Sequence, residues 1–293
     1  MSATVPHLPP AQAQALAAAY DAATAKSRLR GLGVAVVIGA LVLLAGWFAE
    51  VRPAALKNIG HFTDYLAKTI PTISAETPRA DIVAWYWDLK TWARLLGETL
   101  LMAYLGTLLG AVGGFILCFL ASANLVRSRT VLFVTRRYLE FCRTVPDIVF
   151  ALIFVFAFGL GPIPGVLAIA IHTTGALGKL FAEVVENIDM KPVEGLAASG
   201  ASWMQRVRFG VVPQVLSNFA SYGLLRFEIN VRGAGVLGFV GAGGIGQEFL
   251  TAIRNFYYTD VSAMLLMIIA TVIIIDLATE HVRHRLLFGG QHP

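Results

Sequence analysis

One apolar stretch near the middle of the sequence carries three ionisable side chains at helical spacing, His172, Lys179 and Glu183. If the stretch crosses a membrane, these side chains are costly there and should not face lipid. Two interpretations remain open. Lys179 and Glu183 can form an ion pair one helical turn apart while His172 is hydrogen-bonded within a bundle. Alternatively, His172 and Lys179 belong to a polar face that lines a path for a solute.

A second apolar stretch carries arginines whose chemistry suits an oxyanion. Glu228 and Arg232 are four residues apart and can pair within a helix, which leaves Arg226 without a partner in the sequence. The planar donor fork of a guanidinium matches the oxygens of a phosphonate or phosphate. Arg226 and Arg232 are therefore candidates for contact with a passing anion, and ion pairing at a subunit interface is the main competing role.

The sequence offers little for catalysis, metal binding or nucleotide binding. His172 has no cysteine, aspartate or second histidine at triad or metal spacing, and Cys118 and Cys142 form no metal or disulfide framework. The run Gly241–Gly246 matches GxGxxG, but apolar stretches flank it and leave no room for a βαβ unit. No GxxxxGK[ST] motif is present. We therefore expect no catalytic residue, metal or cofactor, and an energy source in another polypeptide.

The composition indicates which elements position these residues. The chain has 293 residues, of which 57% are hydrophobic and 14% charged, whereas globular domains carry about 25% charged residues. The net charge of +5 is spread between apolar runs, so it does not indicate nucleic acid. A span needs about 20 apolar residues. Six candidate spans appear, at about 32–49, 97–122, 145–161, 164–184, 213–232 and 260–279.

Lysine and arginine in the short loops predict the orientation. Basic residues cluster before the first span, after the second, between the fourth and fifth, and after the last, so both termini are predicted to be cytoplasmic (N-in/C-in). The resulting division has three parts: a cytoplasmic tail over 1–30, a first transmembrane helix with an outer-face loop over 31–95, and a core over 96–285. The core contains a cytoplasmic loop at 186–213.

Three connecting segments carry further expectations. Trp85, Leu89, Trp92 and Leu96 share one helical face, which is typical of a helix lying in the headgroup region. The short run 159–164 predicts a tight turn between the third and fourth spans. The glycine-rich segment that contains Gly241–Gly246 is expected to be flexible or re-entrant at the outer face.

The loop at 186–213 has a glutamate, a glycine six residues later and a proline nineteen residues later, namely Glu194, Gly200 and Pro213. Gly200 has no Cβ, which allows a sharp bend between two short helices or close contact with a partner. Pro213 can start the fifth span, and Glu194 can tie the short helices together or reach a basic neighbour. The alternative is a solvated loop with no partner.

These residues stand at the offsets of the cytoplasmic "EAA" loop, and other runs extend the likeness over about 95–285. The chain resembles the phosphonate-type permeases of binding-protein-dependent ABC importers. Gly195 and Leu196 replace the two alanines that name the motif, and Gly210 stands where a branched apolar residue is usual. The runs that carry the resemblance are Arg143–Asp147, His172–Gly175, Gly178–Glu183 and Gly238–Gly246.

The resemblance implies an all-α membrane protein of about six transmembrane helices with the type I ABC importer permease fold. It implies docking of a cytoplasmic P-loop ATPase dimer on the loop that holds Glu194, Gly200 and Pro213. The other implied partners are an extracytoplasmic substrate-binding protein, a second copy of the chain and the lipid bilayer, in a bacterial inner membrane. The implied cargo is a phosphonate, phosphite or phosphate, and nucleic acid is not expected.

Two other classes of protein are less well supported. An ATP-independent secondary transporter of small anions should show repeated halves with broken helices, and no such internal symmetry is evident in the sequence. A membrane-embedded enzyme would need a catalytic constellation within the spans, and His172 has no suitable partner in the sequence.

Overall fold

The computed structural model describes residues 9–48 and 59–288, and each regular element in these ranges is a helix. The chain divides into two units, one ending at Asp64 and the other beginning at Tyr65. In the first unit, α1 (Pro10–Phe48) contains a candidate span from Arg30 to Phe48, close to the predicted first span. The side chains of this span are largely exposed, as expected for a helix surrounded by lipid.

The remaining helices follow in chain order, with a π-helical segment before α10 (the π turn) and a 3₁₀ turn after it. Their bounds are α2 Ile59–Thr69, α3 Pro78–Trp85, α4 Leu89–Ala121, α5 Arg129–Thr144, α6 Asp147–Phe158, α7 Pro162–Glu186, α8 Lys191–Ala198, α9 Trp203–Arg206, the π turn Val207–Val211, α10 Val212–Leu237, the 3₁₀ turn Gly238–Val240, α11 Ile245–Arg254 and α12 Tyr258–Phe288.

The described helices include four that are long and apolar enough to span a membrane singly, within α1, α4, α7 and α12. Two bent pairs bring the number to as many as six. One pair is α5 with α6, bent by 86°, and the other is Trp203–Val240 with α11, bent by 51°. The expected number of about six spans is therefore reached only if each bent pair crosses the membrane once.

The third predicted span, at about 145–161, is not a single long helix. α6 has 12 residues, which is about 18 Å of helix and too short to cross roughly 30 Å of hydrocarbon. The break lies at Pro146, which has no N–H to donate and disfavours a helical conformation at Val145. Val145 is accordingly extended, with φ −73° and ψ 122°. The apolar sequence therefore forms the second arm of a bent pair.

The packing centre of the second unit is the crossing of α4 and α7. Gly106, Gly110 and Gly114 follow one another at four-residue spacing on α4 and bring its backbone against α7. A Cβ at Gly110 would lie 2.5 Å from the Cβ of Thr173, and one at Gly114 would lie 2.9 Å from the backbone nitrogen of Gly178. Small residues at this spacing allow close backbone packing in membranes, where apolar burial alone does not drive helix association.

The two ends of this bundle differ in chemistry. The Glu194 end, formed by residues 121–129 and 186–206, is held together by the indole of Trp203, which donates to the Leu125 carbonyl at 3.2 Å. The glycine-rich end, formed by 159–161 and 238–246, is closed by a hydrogen bond of 3.0 Å from Gly161 N–H to the Gly241 carbonyl. Loops that the sequence predicts to lie on the same side of the membrane are thus found at the same end of the helix bundle.

The glycine-rich segment is a compact corner at the break between Trp203–Val240 and α11, where the helix axis bends by 51°. Gly244 has φ +73°, and a Cβ there would lie 2.3 Å from the hydroxyl of Thr99. The same hydroxyl accepts the backbone N–H of Ile245 at 3.0 Å. Glycine is required here because the backbone turns with positive φ directly against α4.

The tryptophan-rich helix expected before the second span is divided in two. α3 ends at Trp85 and α4 begins after a short turn, so the expected common face is not continuous. Trp85 and Trp87 donate their indole N–H groups to the Thr259 carbonyl at 3.0 Å and to Asp260 at 3.2 Å. Trp92 is only 2% exposed. These side chains therefore fasten α3 and the start of α4 to α12.

Candidate functional site

The predicted bend of the Glu194 loop is formed at Gly200. This residue has φ +84°, between α8 and α9, and no described atom lies within 4 Å of the position of a Cβ. The Ala201 N–H donates back to the Leu196 carbonyl at 3.0 Å, which closes the end of α8. A left-handed glycine is the usual end of such a helix. Gly200 therefore turns the chain and leaves an open surface around itself.

The short helix α8 is seated on the π turn by close packing. Val193 is 3% exposed. A Cβ at Gly210 would lie 3.1 Å from Leu196 Cδ1 and 3.2 Å from Val193 Cγ2. A Cβ at Gly210 would require Val193 and Leu196 to shift by a few tenths of an ångström, and a branched apolar residue, which is usual in the resembled family, would require more. The close approach of α8 therefore explains why glycine stands at position 210.

Glu194 lies in the first turn of α8 and is exposed. In the part of the chain that the structure describes, its carboxylate has no ion pair or hydrogen bond. The expectation that it ties the two short helices together or reaches a basic neighbour is therefore not met. An acidic group is favourable beside a helix N-terminus, and this carboxylate remains free to meet a separate molecule.

Pro213 is not the point at which the helix re-enters the bundle, because one helix runs from Trp203 to Val240. A proline inside a helix lacks a donor, and its ring clashes with the carbonyl four residues earlier. The π turn directly before it widens the helix, and Val212 N–H bonds to the Val207 carbonyl instead. The helix therefore begins ten residues before the predicted start of the fifth span, and Pro213 marks a distortion within it.

Gln214, which the sequence analysis did not single out, clamps the start of the loop to α10. Its side-chain amide donates to the carbonyls of Asp189 at 3.1 Å and Gly210 at 2.6 Å, and its oxygen accepts the Asp189 N–H at 3.2 Å. The segment before α8 is thus tied to α10 by two hydrogen bonds between Asp189 and Gln214. A glutamine just after a proline gives no pattern that would have revealed this role.

The structure brings two of the four predicted path residues into contact, His172 on α7 and Arg226 on α10. An Arg226 terminal nitrogen lies 3.2 Å from His172 Nδ1, and His172 Nε2 lies 3.1 Å from the Arg143 carbonyl oxygen. His172 is ten residues from the start of α7, which is about 15 Å along the helix axis. The pair therefore lies near the middle of a span.

The partners of His172 assign its proton and explain its position. A carbonyl only accepts, so Nε2 carries the hydrogen donated to Arg143, and Nδ1 accepts from Arg226. The Arg143 carbonyl is near the end of α5, where helical donors are missing because the helix breaks at Pro146. His172 is thus a neutral imidazole that caps the break in the bent pair and orients Arg226.

Arg226 keeps donors that nothing in the described chain satisfies. Its Nε is buried without a hydrogen-bond partner, and among the described residues no carboxylate forms an ion pair with it. Asp147, at the start of α6, has its carboxylate beside Gly233, which lies about two turns beyond Arg226 on α10. The sequence analysis quoted Asp147 only for family resemblance and missed this neighbourhood.

A buried amide fixes the register of α10 one turn beyond Arg226. Asn230 is 4% exposed, and its amide donates to the hydroxyls of Thr107 at 2.8 Å and Thr173 at 2.9 Å. It therefore ties α4, α7 and α10 together. Polar side chains in apolar spans are expected to find such interhelical partners, and that rule is the one signal that could have identified Asn230 beforehand.

The other two predicted path residues are occupied by local ion pairs. Arg232 pairs with Glu228, as the sequence predicts, and also lies 3.5 Å from Asp276 on α12. Lys179 lies 3.8 Å from Glu183, the local pairing that the sequence left open. Of the four predicted path residues, Arg226 is therefore the one with a buried donor that no described residue accepts, and His172 orients it.

The comparisons with known proteins identify the class of this fold. Residues 113–287, more than half of the chain, match the family "Binding-protein-dependent transport system inner membrane component". The chain is 37% identical over 247 residues to the phosphite transport system permease protein PtxC of Stutzerimonas stutzeri, covering 84% of this chain and 86% of that protein. It is 36% identical over 246 residues to the phosphate-import permease protein PhnE of Mycolicibacterium smegmatis, covering 84% of this chain and 44% of that protein.

The fold has a solved counterpart in the crystal structure of a bacterial ABC transporter involved in the import of the acidic polysaccharide alginate. The match covers 83% of this chain and 97% of that chain, with a TM-score of 0.58 and 13% identity. At this identity the likeness shows the fold alone, which is that of ABC importer permeases. The chain therefore belongs to the binding-protein-dependent transport system inner membrane component family and is a multi-pass permease of an ABC importer in the bacterial inner membrane.

Proposed function

We propose that this chain forms the translocation path for a phosphorus oxyanion (phosphite, phosphate or a phosphonate) in an ATP-driven importer. The observation that carries the proposal is the guanidinium of Arg226, which is oriented by His172 and keeps a buried, unused donor. Relatives named for phosphite transport and phosphate import support this choice of cargo. Family membership favours this function over an ATP-independent secondary transporter.

The chemistry of Arg226 fits a transient contact with the cargo. A guanidinium donates several hydrogen bonds in one plane and stays charged, so it attracts an oxyanion without a change of protonation. One arginine with a neutral histidine gives a weak site, and a path must release what it admits. Tight binding is therefore assigned to the extracytoplasmic binding protein that the family implies. The chain itself acts as a transport subunit without catalysis.

The Glu194 loop provides the connection to the ATPase. Glu194 and Gly200 are exposed, and Gly200 has open space around it. α8 contacts the π turn through Val193, and Gln214 clamps the preceding segment. The helix that carries Gln214 also carries Arg226, about three turns further on. Closure of an ATPase dimer on the loop would thus shift α10 and, with it, the donors of Arg226.

The number of copies of this chain in the importer follows from its single loop at 186–213. An ATPase dimer presents two docking sites, so two copies of this chain would supply two loops. In this arrangement both termini and the Glu194 end lie in the cytoplasm, and the glycine-rich end meets the binding protein. The concentration of arginines at the Glu194 end supports this orientation.

The path assignment is tested by Arg226→Ala in the complete transporter reconstituted in liposomes. We expect slower uptake of phosphite, phosphate or a phosphonate, whichever the wild-type complex carries, while the ATPase remains bound. Arg254→Ala, which removes an exposed arginine of α11, is the matched control. Unchanged uptake in Arg226→Ala would return Arg226 to a structural role.

The coupling assignment is tested by Gly200→Trp. A bulky side chain on this open surface should prevent co-purification of the ATPase and abolish ATP-driven uptake. The positive φ of Gly200 strains any side chain there, but this strain is confined to the exposed turn between α8 and α9, so the membrane helices should keep their thermal stability. Ala75→Trp, in an exposed turn outside the loop, is the control. Normal uptake by the assembled Gly200→Trp complex would reject the coupling role.

A further inference from the structure

A basic cavity lies at the Glu194 end, between the turn that joins α4 to α5 and the short helix α9. Arg127, Arg129 and Arg206 line it. In the part of the chain that the structure describes, none of the three has an ion pair to a carboxylate. Three positive charges around one cavity repel each other unless an anion joins them. The cavity is therefore suited to a ligand with at least one negative charge.

Two buried polar atoms of this cavity lack partners. Arg206 Nε is a donor without an acceptor, and Asn124 Oδ1 is an acceptor without a donor. The amide nitrogen of Asn124 is already used, since it donates to the Val185 carbonyl at 2.8 Å. Buried polar groups are normally hydrogen-bonded. Both atoms lie beneath the surface of the cavity, so the chemistry that a ligand must bring is set by the charge of the three arginines.

An apolar groove adjoins the basic cavity and shares Leu120 and Trp203 with it. The groove runs along α4 and the π turn, where Phe115, Ile116 and Val207 line it. Phosphate alone has no group that would use such a surface. An anion that carries a hydrocarbon chain would occupy both parts at once.

Trp203 stands at the border between the two parts. Its indole N–H donates to the Leu125 carbonyl at 3.2 Å, while its ring contributes to the apolar groove. Tryptophan is enriched at the level of lipid headgroups, where one side of the ring is apolar and the other is polar. The change from apolar to basic lining at Trp203 therefore matches the change from acyl chain to headgroup in a phospholipid.

We propose that this combined site binds an anionic phospholipid, for which phosphatidylglycerol serves as the probe. The lipid phosphate lies among Arg127, Arg129 and Arg206, and an acyl chain follows the groove past Ile116. Basic pockets between membrane helices recognise anionic lipids in this way. The site is separate from the His172–Arg226 pair and does not depend on which solute is carried.

The site can be tested through the fluorescence of Trp203 in vesicles of phosphatidylcholine that contain a brominated lipid. The full chain, assembled with its ATPase, is compared with Trp203→Phe, so that the difference reports Trp203. We expect brominated phosphatidylglycerol to quench this difference signal more than brominated phosphatidylcholine at equal mole fraction. The preference should fall about fivefold for each arginine removed in Arg127→Gln and Arg206→Gln. Arg127→Lys should retain it, and Arg254→Gln should leave it unchanged.

Three outcomes would overturn the proposal. Equal quenching by the two brominated lipids would show that the cavity does not select a charged headgroup. Loss of the preference on addition of inorganic phosphate would assign the cavity to a free oxyanion. A preference that is present in the isolated chain but absent when the ATPase is bound would assign the surface to that partner.

Discussion

The crossing of α4 and α7 gives a quantitative test, because Gly110 has no room for a side chain. A Cβ there would lie 2.5 Å from Thr173 Cβ, 2.7 Å from Thr173 Cγ2 and 2.8 Å from the carbonyl oxygen of Ala170. The carbonyl belongs to the backbone of α7 and cannot rotate away. Gly110→Ala must therefore separate the two helices or shift Thr173, to which Asn230 donates.

The change in unfolding free energy caused by Gly110→Ala can be judged against Gly97→Ala on the same helix. No described atom lies within 4 Å of a Cβ at Gly97, so this change should stabilise α4 by up to about 1 kcal/mol. Overpacking at Gly110 should cost about 1–3 kcal/mol. The two variants are thus expected to differ by about 1–4 kcal/mol in unfolding free energy.

The two variants can be compared by thermal unfolding in detergent, with the loss of monodisperse protein as the measured signal. Gly110→Ala should unfold several degrees below Gly97→Ala. Adding Thr173→Ser to Gly110→Ala removes Cγ2 but keeps the hydroxyl that accepts from Asn230, and should recover part of the loss. Equal midpoints for the two alanine variants would refute the close crossing.

Three further changes probe the site and its coupling. His172→Phe leaves the Arg143 carbonyl and the Arg226 donor without partners, so it should slow oxyanion uptake and lower the unfolding midpoint; a normal value for both would contradict the assigned hydrogen bonds. Gly210→Val should displace α8, because a Cβ would lie 3.1 Å from Leu196 Cδ1, and should weaken ATPase co-purification from detergent. Gln214→Leu removes the clamp on Asp189 and should increase the ATP hydrolysed per solute imported; an unchanged ratio would show that the clamp does not transmit motion.

The local geometry of the Glu194 loop was largely predictable from residue types. A glycine between two short helical segments indicates a left-handed turn, and Gly200 forms one. The role of Gly210 was not predictable, because it depends on how closely α8 approaches the π turn. The isolated carboxylate of Glu194 was also missed, since a sequence does not show which charges lack neighbours.

The sequence identified His172 and Arg226 as candidate residues, but it did not show that they contact each other. Arg226 has no helical partner in the sequence, and His172 is unusual in an apolar span. Their contact joins residues far apart in the chain and depends on the crossing of α7 and α10. Pro146 could have indicated that the third span is broken, but the apolar run after it obscured the break.

The central claim is that this chain imports a phosphorus oxyanion with energy from a separate ATPase. It is tested most directly by uptake of radiolabelled phosphite, phosphate and methylphosphonate into liposomes that contain the purified chain, with and without its ATPase, binding protein and ATP. The account predicts uptake of at least one of the three only when all components and ATP are present. Uptake by the chain alone, without ATP, would contradict it and favour a secondary transporter.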